Sequence, residues 1–225
     1  MIYITGDIHG DIDIHKLTTQ NFPQQRTMTK DDYLIICGDF GLLWDDSPSE
    51  HYWLRWLSEK PFTTLWIDGN HENFDMLKQK PYQHKFNGIV QEVAPSVFHL
   101  MRGYVYTIDN LRFFTMGGAT SHDKMYRREH YSWWQEELPS SADIVRAWET
   151  LKMANWNVDY VITHCAPTTI VNQISTLHTP EEFTDCLDII SQSITFKHWY
   201  FGHYHIDKSF DDIFTAVYNN IIKIN

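Results

Sequence analysis

Short apolar runs that end in polar residues set the pattern of this chain. Residues 2–4, 33–37, 64–67, 160–163 and 198–201 are rich in Ile, Val, Leu, Tyr, Phe and Trp. Their length and composition predict β-strands. Each run leads into residues with oxygen or imidazole side chains: Gly6-Asp7-Ile8-His9, Gly38-Asp39, Gly69-Asn70-His71-Glu72, His164, and Gly202-His203-Tyr204-His205. In four of the five, glycine stands immediately before the first such residue. Asp7 and His9 are two apart, so their side chains leave an extended backbone on one face.

The intervening segments predict helices and hairpins. Residues 11–20 read as a short helix that buries Ile14 and Leu17, and residues 21–32 as a polar link. Ser47-Pro48-Ser49-Glu50 combines a capping box with proline at the first helical position, ahead of Tyr52, Trp53, Trp56 and Leu57 on one face. Asn73 caps a short helix with Phe74 and Leu77. Residues 81–95 lack clear periodicity and read as loop or insertion. Residues 104–108 and 111–116 predict a hairpin about Asp109-Asn110. A polar stretch, 119–137, precedes a helix from Ser140 or Ser141 with Ile144, Trp148 and Leu151 on one stripe. Thr179-Pro180-Glu181-Glu182 announces another, with Phe183, Leu187 and Ile190. A last hairpin is expected from 213–217 and 221–224 about Asn219-Asn220. Strands alternate with helices early and hairpins follow, which points to a mixed α/β sandwich in one domain, 1–225.

The ordered series Asp-x-His, Gly-Asp, Gly-Asn-His-Glu, His and Gly-His-x-His resembles the calcineurin-like metallophosphoesterases, and the likeness runs from Asp7 to His205. The resemblance implies a four-layer αββα sandwich of two mixed sheets flanked by helices. It also implies two divalent metal ions. Asp7, His9 and His205 would hold one ion; Asn70, His164 and His203 would hold the other; Asp39 would bridge. His71 would not be a ligand but would donate a proton to the leaving oxygen, work suited to an imidazole. A water between two ions is acidified, so the expected reaction is attack of a metal-bridging hydroxide on a phosphate mono- or diester. The oxygen and imidazole donors, with no thiolate, favour Mn²⁺, with Fe or Zn²⁺ as alternatives, over Mg²⁺.

One departure shifts the substrate expectation. Protein phosphatases of the superfamily continue Gly-Asp-x-x-Asp-Arg-Gly; here Leu42 and Leu43 replace the acid and the arginine. Asp45, Asp68 or Glu72 would then have to orient His71. Phosphate would need other cations, and Arg102, Lys124, Arg127 and Arg128 flank Gly117-Gly118 in a candidate cap or insertion segment at about 102–138. Arg127 and Arg128 cannot both face inward from extended backbone.

Composition narrows the partners. A net charge of −11 argues against an extended nucleic-acid footprint, though not against a small anionic substrate near metal ions. Apolar runs are too short to span a membrane, and three cysteines fit a reduced, cytoplasmic setting. The leading expectation is hydrolysis of a small nucleotide-like or other phosphate ester. A nuclease-type or debranching phosphodiesterase is the alternative, weakened by Asp7 where debranching enzymes carry cysteine. A non-catalytic binding scaffold is disfavoured because every ligand position is filled.

Overall fold

The computed structural model describes residues 1–174 and 181–224. The strands are β1 (Ile2–Thr5), β2 (Tyr33–Ile36), β3 (Thr63–Trp66), β4 (Tyr82–Lys85), β5 (Gly88–Ala94), β6 (Val97–Leu100) and β7 (Tyr104–Ile108). They continue with β8 (Leu111–Met116), β9 (Tyr160–Thr163), β10 (His198–Phe201), β11 (Lys208–Phe210), β12 (Phe214–Ala216) and β13 (Ile222–Ile224). Helices are α1 (Pro48–Ser58), α2 (Phe74–Leu77), α3 (Ser141–Met153), α4 (Thr168–Ile174) and α5 (Glu182–Ser193). One sheet runs β13-β1-β2-β3-β6-β5-β4 and the other β11-β12-β10-β9-β8-β7. Both have parallel centres, β1-β2-β3-β6 and β8-β9-β10-β12, so those strands end on one edge of each sheet.

Both faces of each sheet are covered, which is why the central strands read as nearly unbroken apolar runs. Alternate residues divide between layers. Ile2, Ile4, Ile35, Leu65, Tyr106, Phe113 and Ile162 pack between the sheets. Tyr3, Leu34, Ile36 and Trp66 face Ile14, Leu17 and Leu57 on the outer side of the first sheet. Phe114, Val161, Trp199 and Phe201 meet Ala147, Leu151, Leu187 and Ile190 of α3 and α5. The result is the expected four-layer αββα sandwich. Among the described residues no helix is long and apolar enough to cross a membrane.

Several local expectations need correction. Residues 81–95 are not loop: β4 and β5 form an edge hairpin turning through Phe86 and Asn87, both at positive φ. The mostly exposed polar face of β4 hides the strand period. The last strands do not form a hairpin with each other. β12 pairs antiparallel with β11 across Asp211 and Asp212, both left-handed, while β13 crosses to the other sheet beside β1. Between them Asp207 accepts the backbone N–H groups of Tyr218, Asn219 and Asn220 at 2.9–3.1 Å. Only a 3₁₀ turn, Ile14–Leu17, forms within 11–20, and it buries both predicted apolar residues. Of the capping box on α1, Ser47 accepts from Glu50 N, but the Glu50 carboxylate turns to the N–H groups of Trp44, Asp45 and Asp46 instead. The start expected at Thr179-Pro180 lies outside the described residues.

Where β3, β6 and β8 end, a buried charge cluster ties the sheets together. Asp68 binds His99 Nε2 at 3.0 Å and pairs with Arg102, whose guanidinium also donates to the Glu136 and Glu137 carbonyls. Gly118 N donates to Asp68 O at 2.9 Å. Burial alone would raise the Asp68 pKa, but Arg102 and His99 outweigh it and hold it at about 2, below the ordinary 3.8. Its contribution to stability is therefore complete above pH 3.8 and is lost as pH falls towards 2. Removing the cation should leave a buried carboxylate underpaired. Arg102→Ala is expected to cost about 3–5 kcal/mol, read as a lower urea midpoint at neutral pH; an unchanged midpoint would mean the pair adds nothing.

Candidate metal centre

The strand ends reach the centre through backbone that most residues avoid. His9, Asp39, His203 and His205 have φ of 43°, 45°, 68° and 50°, a region costly for residues with a side chain and concentrated at functional sites. Neighbouring loops are stitched together to hold them. Ile8 N and His9 N both donate to Asp39 O, and Gly10 N to Phe40 O at 2.9 Å. The buried Glu72 carboxylate accepts Phe40 N at 2.7 Å and Gly41 N at 3.1 Å, fastening the loop after β3 to the loop after β2. Beneath the centre, half-buried Lys16 donates to the carbonyls of Gly6, Asp7 and Tyr218.

Two of the glycines are needed for close approach. A Cβ on Gly69 would lie 2.0 Å from Asp39 Oδ1, and one on Gly202 would lie 2.2 Å from Asp7 Oδ1. Each carboxylate thus rests against a glycine from a different loop. This accounts physically for the glycine that precedes the ligand-type residue.

The donor atoms converge in two overlapping sets, Asp7 with His9 and His205, and Asp7 with Asp39 and His164; within each set they lie within 4.8 Å of one another. Asp39 reaches to both sides, with Oδ2 3.3 Å from His9 Nε2 and Oδ1 3.2 Å from His164 Nε2. Asp7 Oδ2 is 3.2 Å from His205 Nε2. Asn70 Oδ1 lies 3.2 Å from His164 Nε2, and the His203 ring is 5.0 Å from that of His164. All seven expected ligand residues are therefore gathered at one place.

Outer contacts aim these donors. His164 Nδ1 is 2.8 Å from Cys37 O, and His9 Nδ1 is 2.8 Å from Asp13 Oδ2, so each Nε2 points inward. Tyr218 donates in turn to Asp13. Asn70 Nδ2 donates to Ser121 Oγ at 3.1 Å, and Ser121 donates to Glu137, which fixes the amide with its oxygen toward the centre. Nothing in the sequence around Ser121, Glu137 and Tyr218 marks them as parts of the site, whereas Asp13 carries one local signal, its place four positions after His9.

Electrostatics fit a cation-binding centre. Burial alone would lower both imidazoles. Asp39 and Asp7 nevertheless raise His164 to about 10, and Asp39, Asp7 and Asp13 raise His9 to about 9. Asp39 is held well below the carboxylate range by His164 and His9, against its burial. Protons on these rings hold the place of positive charge, and ion binding would displace them. Two buried carboxylates beside oxygen and imidazole donors are a donor set that hard or borderline divalent cations fit.

His71 stands beside this group rather than in it, its ring 5.6 Å from that of His9 and its backbone N–H donating to Asp39 Oδ1 at 2.8 Å. None of the three acids considered for orienting its ring does so. Asp68 is committed to Arg102 and His99, Glu72 to backbone, and Asp45 accepts Ser47 N. Its ring neighbour is Arg127, with Nη2 3.4 Å from Nε2, itself paired with Asp123 at 2.8 Å. Burial lowers the His71 pKa, Asp39 opposes and the Arg127 charge adds. Lys124 and Arg128 are exposed, and Arg102 lies in the Asp68 cluster. The segment 102–138 divides accordingly: β7 and β8 belong to the second sheet, and the remainder lies between β8 and α3.

Comparison with known proteins agrees with this geometry. Lariat debranching enzyme A of Xenopus laevis is 30% identical over 164 residues, covering 65% of this chain and 28% of that protein. The lariat debranching enzyme of Gallus gallus is 27% identical over 191 residues, covering 75% and 33%. The chain therefore spans about a third or less of the length of these curated relatives. The profile of the calcineurin-like phosphoesterases matches residues 1–207, from β1 through the final histidine pair. With that span and the convergent Asp, Asn and His side chains, the chain belongs to the calcineurin-like phosphoesterase family.

Proposed function

We propose that the chain is a metal-dependent hydrolase of phosphate esters, acting on a small nucleotide-like or other phosphate ester. The observation that carries this reading is the pair of buried carboxylates, Asp7 and Asp39, set among inward-facing imidazoles. Asp7, His9, Asp39, Asn70, His164, His203 and His205 would hold two divalent ions, with Mn²⁺ preferred and Fe or Zn²⁺ also suited to the donors. When bound, such a pair supplies Lewis acidity toward the phosphoryl oxygens and the attacking water. Asp39 keeps one oxygen toward His9 and the other toward His164, as a shared ligand requires.

The remaining work falls to His71 and Arg127. His71 borders the open cleft and donates a proton to the departing oxygen. Arg127, beside that ring, takes the part of the arginine missing where Leu42 and Leu43 are buried in the core. It binds a non-reacting phosphoryl oxygen, while Lys124 and Arg128 add only a diffuse positive field. A nuclease-type phosphodiesterase is the second reading, favoured by the names of the two curated relatives. Linear and branched oligonucleotides assayed beside p-nitrophenyl phosphate, its bis-ester and cyclic nucleotides, each with several metals, separate the two.

Two outcomes are expected. Elemental analysis of protein reconstituted with Mn²⁺ should approach about two equivalents, and Asp39→Asn should bring it toward about one with most activity lost. Retention of the full metal content by that variant would remove Asp39 from the shared position. His71→Ala should keep its metal yet slow hydrolysis of alkyl esters by about a hundredfold, with a much smaller loss on nitrophenyl esters, whose leaving group needs no proton. Equal losses on both would assign His71 to substrate binding.

A further inference from the structure

The ion-binding residues and His71 would serve any phosphate ester, so selection falls to the space beside them. That space is a cleft of about 480 Å³, walled by Ile12, Trp44 and Tyr218 and bordered by His9, His71 and His205. The volume is that of a small-molecule pocket. Among the described residues no Lys or Arg lines it. A second phosphate or a carboxylate on the substrate would find no Lys or Arg among the residues of its wall. The wall is apolar, and Ile12 is 73% exposed at its mouth.

Trp44 is held as a rigid surface. Its backbone N–H donates to Glu50 Oε1, and the same carboxylate accepts the backbone N–H groups of Asp45 and Asp46 at 2.9 Å. On the other side Asn73 Nδ2 donates to Trp44 O at 2.7 Å. The indole meets the buried Trp134 edge to face, centroids 5.4 Å apart, and Trp134 is fixed by its Nε1–H to Asp75 at 2.8 Å. Trp44 also borders a second hollow of about 300 Å³. By contrast, Tyr218 already stacks on His205, with 11° between the planes. Of the two aromatic walls, Tyr218 is already stacked whereas Trp44 is met edge to face, so a planar group would stack on Trp44 rather than on Tyr218. On the rim, the Asp13 carboxylate has acceptor capacity beyond its contacts with His9 and Tyr218, which suits an exocyclic amino group.

We propose that this cleft receives the nucleobase of a nucleoside phosphate ester, stacked on Trp44, and that Trp44 is the residue that selects the substrate. The inference rests on the phosphoester reading above and names the substrate class for the same site. The base comes either from a free nucleotide or from a nucleic-acid strand. Both offer the same uncharged, planar face.

Calorimetric titration of the metal-loaded chain with adenosine and with ribose tests this without turnover, since neither carries a phosphate. Adenosine should bind and ribose should bind at least about tenfold more weakly. Trp44→Ala should weaken adenosine about tenfold, and Trp44→Phe should restore most of the loss. Equal binding of adenosine and ribose by the unaltered chain, or adenosine binding unaffected by Trp44→Ala, overturns the proposal. If no phosphate ester is hydrolysed while adenosine binding stays Trp44-dependent, the hydrolase reading fails and the base site stands. An adenosine trimer with methylphosphonate linkages distinguishes the sources: tighter, Trp44-dependent binding than adenosine identifies a strand, and equal, Trp44-dependent binding identifies a free nucleotide.

Discussion

Two carboxylates buried side by side are the constraint to which the rest of this structure answers. Asp7 and Asp39 have almost no exposure to solvent, and their mutual repulsion in that setting must be met by positive charge. In the protein alone His9 and His164 supply it by holding protons well above their ordinary range. The backbone accommodates the same demand. Left-handed residues turn four side chains inward, glycines leave room for each carboxylate, and Lys16 closes the underside. Glu72 then locks two of the contributing loops together through their backbone N–H groups.

Much of the centre was legible because strands and their ends are written locally. An apolar run with a buried face on each side can hardly be anything but a central strand, and a glycine before Asp39 or Asn70 signals a close approach. The edge of the first sheet was not legible, because β4 exposes polar residues and loses its period. The ending was misjudged for a different reason. Asp211-Asp212 and Asn219-Asn220 both have turn chemistry, and only long-range packing decides that the chain reverses at the first and changes sheet at the second. Ser121 acts by touching Asn70, far away in the sequence, and Glu137 acts through Ser121, so no local pattern could mark them. Asp13 lies only four positions after His9, in a stretch that reads simply as the start of a helix.

The four cations expected near substrate show how burial sorts residues of one type. Arg102 is consumed by Asp68 and two carbonyls, and its loss is a matter of folding. Arg127 alone of the four reaches the neighbourhood of His71, held by Asp123 in a loop whose other cations face water. The order in which these groups stand, the candidate metal ligands within, His71 beside them and Trp44 beyond, would on the proposed reading separate the chemistry from its selectivity. Substitutions on the outer loops would then alter the choice of ester without disturbing the buried charges.

Asp7 and His203 touch although they lie 196 positions apart. Translation and folding proceed from the N-terminus, so Asp7 and His9 emerge long before their partners exist. The two buried acids and the imidazoles around them therefore meet only once both sheets have formed, so the centre is a product of the completed fold and of no single segment.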